Sequence, residues 1–282
     1  MKQVTQTQRN GHVRVEEVPP PALRPGGVLV RTAYSLISAG TERAKVELAR
    51  KSLVGKARAR PEQARQVLDA LHQQGPLATY RKVMNRLEAL QPLGYSCSGV
   101  VIAVGSGAEE FQVGDWVACA GAGCANHAEI NFVPKNLCVK LPEGVDLEDA
   151  AFATLGAIAL QGVRQAEVHL GEVVGVVGLG LVGLLTVQLL KAAGCVVVGM
   201  DPNSSRCELA QELGCDATAT TEAEMRAVAR ARSAGYGCDA VILTAATTSN
   251  GPIRLAGEIA RDRGRVVVVG AVGMGVPRQV YY

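Results

Sequence analysis

The chain is poor in aromatic residues: one Trp, three Phe and six Tyr make up 4% of its 282 residues. No aromatic ladder is available on which nucleic-acid bases could stack. Net charge is only +3, too little to argue for a nucleic-acid partner. No run of about 18 apolar residues occurs, so no membrane span is expected. The N-terminus, MKQVTQTQRNGHVRV, lacks the apolar core of a signal peptide, and a cytoplasmic location is the expectation. The eight cysteines, at 97, 119, 124, 138, 195, 207, 215 and 238, include no C-x-x-C pair. Without an export signal they are expected to be free thiols packed as small apolar groups.

What the chain has in plenty is hydrophobic residues, 48%, and glycine, 32 residues. That suffices for roughly two packed domains with many tight turns. Residues 1–40 and 92–140 carry short Val- and Gly-rich runs broken by turns, such as VLVRTAYSLI, SGVVIAVG and DWVACAGA. They predict a β-rich unit that opens with a hairpin turning at Asn10-Gly11. Residues 41–90 between them are helical in composition, with Pro61-Glu62 as a helix start and Gly75-Pro76 as a break. This insert holds eleven Lys and Arg against five Asp and Glu. Such a surplus suits a solvated helical face, or a cationic lid over an anionic substrate.

From about residue 150 apolar strands alternate with amphipathic helices: VVGVVG, LVGLLTVQLLKAAG, CVVVGM, SSRCELAQELG, a weak strand near DATA, EAEMRAVARARSAG, DAVILTA, PIRLAGEIARDRG and RVVVVGAVG. The pattern predicts a parallel sheet covered on both faces, an α/β doubly wound domain. Its first turn reads GLGLVG, Gly178, Leu179, Gly180, Leu181, Val182, Gly183, a G-x-G-x-x-G between a strand and a helix. Gly178 serves the tight turn, Gly180 lets the backbone approach a pyrophosphate, and Gly183 allows close helix packing. The phosphates would lie at a helix N-terminus. Asp201 ends the second strand eighteen residues past Gly183, where a carboxylate grips the adenosine ribose. A 2′-phosphate would be repelled there, so NAD is preferred over NADP; Arg206 could reach a phosphate or stack on adenine. Thr244 and Gly270 follow the fourth and fifth strands and suit the nicotinamide end, although ordinary loop chemistry explains them nearly as well.

With GDWVACAGAGCANHAEINFVP added, the chain resembles the medium-chain dehydrogenase/reductase superfamily, the zinc-alcohol-dehydrogenase-like group. SAGTER, PLGYSCSGVV, CANHAE and TLGAIALQGVRQAE are similar to the dehydrogenase part of bacterial bi-domain oxidoreductases. The resemblance implies a GroES-like catalytic domain over residues 1–150, with the basic insert at about 41–90, and a Rossmann NAD-binding domain over 151–275. Residues 276–282 would begin a return segment, leaving the sequence C-terminally truncated relative to the family. An exposed sheet edge would then invite pairing, either as a homodimer or with a partner oxidoreductase module.

The family's zinc-dependent members take ligands from a CGTD-like motif, a GHE motif and a third Cys or acidic position. By the resemblance Ala39 stands at the Cys, Tyr95 at the His, Ser96 at the Glu, and Ala153 and Thr154 near the third position. Catalytic zinc needs three protein ligands, so no zinc is expected. His127 and Glu129, two apart on an expected strand, could bind a metal, but a core or hydrogen-bonding role is the stronger expectation. LISAGTER at 36–43 reads as a small-residue turn. In it Thr41 matches the family's proton-passing hydroxyl and Glu42 its often structural Asp. Tyr95 and Thr41 are the donors expected to polarise a carbonyl oxygen in place of a metal. The function implied is a zinc-independent NAD(P)-dependent oxidoreductase acting on an alcohol or carbonyl small molecule, sugar-linked or anionic. The alternatives are a non-catalytic cofactor-binding module supporting a partner oxidoreductase, and an inactive fragment of a longer bi-domain enzyme.

Overall fold

The computed structural model describes residues 1–52, 55–56, 58 and 61–281, with the side chains of all of these except 63, 64, 68 and 86. Two compact units divide the chain, Met1–Thr154 and Leu155–Tyr282. Among the described residues no helix is long and apolar enough to cross a membrane.

The first unit opens with the antiparallel hairpin β1 (Lys2–Thr7) and β2 (Val13–Glu17). Its turn places Gly11 at φ +71°, and the Asn10 side chain accepts from the His12 N–H at 3.0 Å. The main sheet is antiparallel: β3 (Gly27–Ser35), β5 (Ser96–Val104), β6 (Trp116–Ala120), β7 (Ile130–Pro134) and β8 (Cys138–Lys140), in the order β7-β3-β5-β6-β8. Val28 and Val30, two apart on β3, face inward together as strand periodicity requires. They are buried with Val101, Val117, Val133 and Phe111. A short β4 (Leu90–Pro92) pairs with β1.

Between β3 and β4 the chain is helical: α1 (Ala39–Arg50), α2 (Pro61–Gln74) and α3 (Pro76–Glu88). Gly75 stops α2 at φ +81°, and Pro76 opens α3, a position where its missing N–H costs nothing. Residues 53, 54, 57, 59 and 60 of the expected helical stretch lie outside the described residues. The expected turn at LISAGTER is a helix start instead, because Ala39 to Glu42 form the first turn of α1. The unit closes with α4 (Leu147–Ala150) and the start of α5 (Ala153–Gln165).

The second unit alternates β9 (Val173–Val177), α6 (Leu181–Ala192), β10 (Val196–Met200), α7 (Ser204–Glu212), β11 (Ala217–Ala219), α8 (Glu222–Arg232), β12 (Cys238–Leu243), α9 (Gly251–Ile259) and β13 (Ala260–Val268). The strands are parallel in the order β11-β10-β9-β12-β13. Helices cover both faces, and all five residues of β9 are buried. Two helices carry side-chain caps: Asn203 caps α7 through the Ser205 N–H, and Thr221 with Glu224 forms a capping box on α8.

One expected helix is shorter than its pattern. PIRLAGEIARDRG stops being helical at Ile259, and ARDRG enters β13. Ala260 pairs with Cys238, and the Arg261 Nε donates to the Asp239 carboxylate at 2.6 Å, so a strand contact outcompetes the helical composition. The irregular register leaves Arg263 at φ +61°, in the left-handed region that costs a side-chain-bearing residue ~1 kcal/mol. Arg263→Gly is therefore expected to raise the melting temperature by about 3 °C, measured by thermal unfolding; a drop would show that the arginine makes a compensating contact.

Candidate functional site

Two clusters carry chemistry, one in each unit. In the second unit the central strand β9 lies between β10 and β12, where the chain order reverses, the place at which open α/β sheets bind ligands. The turn after β9 is crowded on two sides and open on the third. Gly178 sits at φ +101°, and a Cβ there would lie 2.5 Å from the Ala245 amide nitrogen. At Gly183 a Cβ would meet the Gly178 carbonyl oxygen at 2.0 Å. A Cβ on Gly180, the N-cap of α6, would meet nothing within 4 Å. Leu179 is fully buried and pins the turn to the core. The first helical bond runs from the Leu184 N–H to the Gly180 carbonyl at 2.8 Å. The N–H groups of Leu181, Val182 and Gly183 lie ahead of it, where a helix N-terminus attracts anions.

Thr244 and Gly270 complete this cradle from β12 and β13. The Thr244 amide donates to the Val177 carbonyl at 2.9 Å, and its hydroxyl donates to the Gly178 carbonyl. A Cβ on Gly270 would lie 2.1 Å from the Ala245 carbonyl oxygen. Thr244 thus braces the glycine turn, and Gly270 packs against the Thr244–Ala245 segment.

Asp201 follows β10 and is 5% exposed. Its Oδ2 accepts from the Leu179 amide at 3.0 Å and from Arg206 Nη1 at 3.2 Å, and its Oδ1 accepts from the Asn203 amide at 3.0 Å. These bonds use three of the roughly four acceptor positions of a carboxylate. Asp201 therefore braces the glycine turn, which pattern alone did not indicate, and keeps limited capacity for a further donor.

The second cluster lies at the start of α1. Glu42 is buried, and its Oε1 accepts from the Ser38 amide at 2.9 Å. His127 Nε2 lies 3.2 Å and 3.1 Å from the two carboxylate oxygens. His127 Nδ1 lies 2.9 Å from Ser35 Oγ. The Tyr95 hydroxyl donates to Ser38 Oγ at 2.7 Å. Tyr95 is half-buried, and Thr41 is exposed on the first turn of α1.

His127 and Glu129 do not share a strand face, and each makes its own hydrogen bonds. His127 lies in a bend ahead of β7 rather than on a strand. Glu129 is exposed and accepts from the Lys2 amide at 2.8 Å. The carboxylate beside His127 comes from Glu42, 85 residues away along the sequence. Ser35, Ser38 and His127 were not legible as one constellation, because no local spacing connects them. At the positions that the resemblance assigns to zinc ligands, Ser96 donates to the Ala151 carbonyl at 2.6 Å and Thr154 to the Cys119 carbonyl at 3.3 Å. Among the described residues no group of three or more His, Cys, Asp or Glu is arranged to hold a metal ion.

Part of the basic insert's charge is spent internally. Lys56 donates to the carbonyls of Gln8 at 2.7 Å and Arg9 at 2.9 Å, and burial lowers its pKa. Arg43 pairs with Glu47. All eight cysteines are free. Burial pushes the Cys215 thiol up to about 11 and the Cys238 thiol up to about 12. The neighbouring Cys138 and Cys97 thiols, together with burial, raise Cys119. Thiols held protonated in this way are packing groups.

Residues 182–282 match the family model of zinc-binding dehydrogenases. D-guloside 3-dehydrogenase of Shigella flexneri is 38% identical over 125 residues, 44% of this chain and 35% of that protein. The 2-dehydro-3-deoxy-L-galactonate 5-dehydrogenase of Pseudoalteromonas atlantica is 29% identical over 217 residues, 67% of this chain and 63% of that protein. The alignments thus span between about a third and under two thirds of these relatives' length. Among solved structures, galactitol-1-phosphate dehydrogenase from Escherichia coli superposes with a TM-score of 0.72 at 21% identity, over 100% of this chain and 79% of that one. A mycobacterial protein complexed with NADPH gives 0.73 at 21%, over 99% and 78%. At such identities the likeness is one of fold.

Proposed function

We propose that the chain, whose residues 182–282 match the zinc-binding dehydrogenase family model, is a medium-chain dehydrogenase/reductase, an NAD-preferring, zinc-independent oxidoreductase of alcohol and carbonyl groups on sugar-linked or anionic substrates. Its curated relatives are named as dehydrogenases, which makes an alcohol-dehydrogenase-like oxidoreductase the coarse reading. The observation that carries the cofactor part is the contrast within one turn. Gly178 and Gly183 have no room for a Cβ, while Gly180 faces open space, as an approaching pyrophosphate requires.

The main chain of Gly178 to Gly183 would hold the pyrophosphate, Asp201 the adenosine ribose, and Thr244 with Gly270 the nicotinamide side. The buried Asp201 carboxylate disfavours a 2′-phosphate, and Arg206 is already turned toward it at 3.2 Å. Bound nicotinamide supplies or takes up the hydride. Tyr95 donates a hydrogen bond to the substrate oxygen as negative charge develops there, while the rotatable Ser38 hydroxyl turns to donate to the phenol oxygen. In oxidation Thr41 takes up the alcohol's proton as its own hydroxyl proton leaves to solvent, and reduction runs the reverse. Zinc does not fit this corner: Ala39, Tyr95 and Ser96 cannot supply the three ligands a catalytic zinc needs, and no step runs through a metal. The sugar-linked class is supported by the guloside and galactonate relatives, and the anionic class by the insert's surplus cations.

Fluorescence titration is expected to give NADH a dissociation constant about tenfold below that of NADPH, ~1.4 kcal/mol, with metal analysis finding substoichiometric zinc. Tyr95→Phe and Thr41→Ala should each cut kcat on a sugar-alcohol panel by about 100-fold while leaving the NADH dissociation constant unchanged. Stoichiometric zinc, or no nucleotide binding, would sink the reading.

A further inference from the structure

We infer that the buried Glu42–His127 pair is the positioning device for the Tyr95 hydroxyl, fixing both partners of the Tyr95–Ser38 hydrogen bond; this rests on the proposal that Tyr95 serves the substrate oxygen.

Ser38 is the N-cap of α1, yet its side chain makes no capping bond. Serine at that position ordinarily accepts from a helix N–H. Here the hydroxyl is turned to Tyr95 at 2.7 Å. The task of holding Ser38 passes to Glu42 four residues on, whose Oε1 accepts the Ser38 N–H at 2.9 Å. The Glu42 side chain is about nine-tenths buried, at 10% exposed. A buried carboxylate needs a donor. His127, 9% exposed, supplies it from Nε2. Because the carboxylate only accepts, Nε2 carries a hydrogen, and the Ser35 hydroxyl holds Nδ1 from the other side at 2.9 Å.

His127 also grips the segment that carries Tyr95. Its amide donates to the Leu93 carbonyl at 2.8 Å, and its own carbonyl accepts from the Val4 amide at 2.8 Å. Gly94, between Leu93 and Tyr95, sits at φ +93°, and a Cβ there would lie 2.6 Å from the His127 nitrogen. One residue therefore holds the phenol's segment through its backbone and the phenol's partner through its ring. His127 touches no reacting atom in this scheme and is a positioning residue.

The test uses the 282-residue chain with tyrosines labelled with ¹³C at Cζ, the Tyr95 resonance being the one lost in Tyr95→Phe. His127→Gln keeps an amide donor toward Glu42 and is expected to leave that resonance in place, with kcat within about threefold of the wild type. His127→Phe should shift the resonance and lower kcat by 10- to 100-fold, with KM and the NADH dissociation constant within about twofold. A resonance unmoved in His127→Phe overturns the inference, as does an equal kcat loss in His127→Gln and His127→Phe. Should His127→Phe fail to fold, Glu42→Ala removes the acceptor of the Ser38 amide and the partner of the His127 ring. The Tyr95 resonance must then move, and its constancy overturns the inference equally. The spectroscopic readout needs no turnover, so a wild type inactive on the whole sugar-alcohol panel refutes the proposed activity without deciding the positioning.

Discussion

Gly183→Ala is expected to destabilise the second unit by ~3 kcal/mol, near the top of the overpacking range, and to lower its melting temperature by roughly 10 °C. The added methyl would meet the Gly178 carbonyl oxygen at 2.0 Å. That carbonyl cannot retreat, because the Thr244 hydroxyl holds it and the Gly178 amide is bonded to the Met200 carbonyl at 2.8 Å. Gly180→Ala is the control. Its backbone, at φ −72° and ψ −171°, is open to any residue, and its Cβ meets nothing within 4 Å. Its melting temperature should stay within about 1 °C of the wild type, while NADH affinity falls by about tenfold or more, because the methyl occupies the approach of the phosphates. Calorimetry and NADH titration on the same two variants separate the roles. Equal melting temperatures for the two would contradict the packing argument.

The second large effect concerns the pair in the first unit. His127→Leu removes the Nε2 donor of the buried Glu42 carboxylate and is expected to cost about 3 kcal/mol, the penalty of leaving a buried acceptor without its partner. Glu42→Leu alone removes the acceptor of the Ser38 amide and the partner of the ring. Changing both residues to Leu should recover most of the loss, leaving ~1–2 kcal/mol for the Ser38 amide that no longer has an acceptor. A urea-denaturation cycle over the four proteins measures the coupling. If the two single costs simply add in the double variant, the pair is not interacting as its 3.1 Å separation implies.

The second unit was the more legible in sequence, and the reason is physical. Buried parallel strands need continuous Val and Ile runs, the helices between them need one apolar face, and the turn after β9 has glycine at two places for close contacts and at a third where a Cβ would face open space. Each demand is local, so VVGVV and GLGLVG stand out unaided. The limit appears at ARDRG, where helical composition yields to the Arg261–Asp239 contact and the Ala260–Cys238 pairing. In the first unit the strands were legible from Val-rich alternation, and Pro61 and Gly75-Pro76 punctuated the helices. The site was not. His127 gains its meaning from Glu42 and Ser35, 85 and 92 residues away along the sequence. Glu129, two residues on, accepts from the Lys2 amide instead, because His127 lies in a bend and the two residues do not share a strand face. Asp201 was legible as a carboxylate at the right offset, and its engagement with the Leu179 amide was not.

The fingerprint GLGLVG is contiguous, but the hollow it lines is not. Two of the hydrogen bonds that shape it arrive from Thr244, 66 and 67 residues later in synthesis, and Gly270 fits against Ala245 later still. During vectorial emergence from the ribosome the motif and its helix exist well before β12 docks beside β9. On the function proposed above, a nucleotide would find its cradle complete only once β12 has docked beside β9.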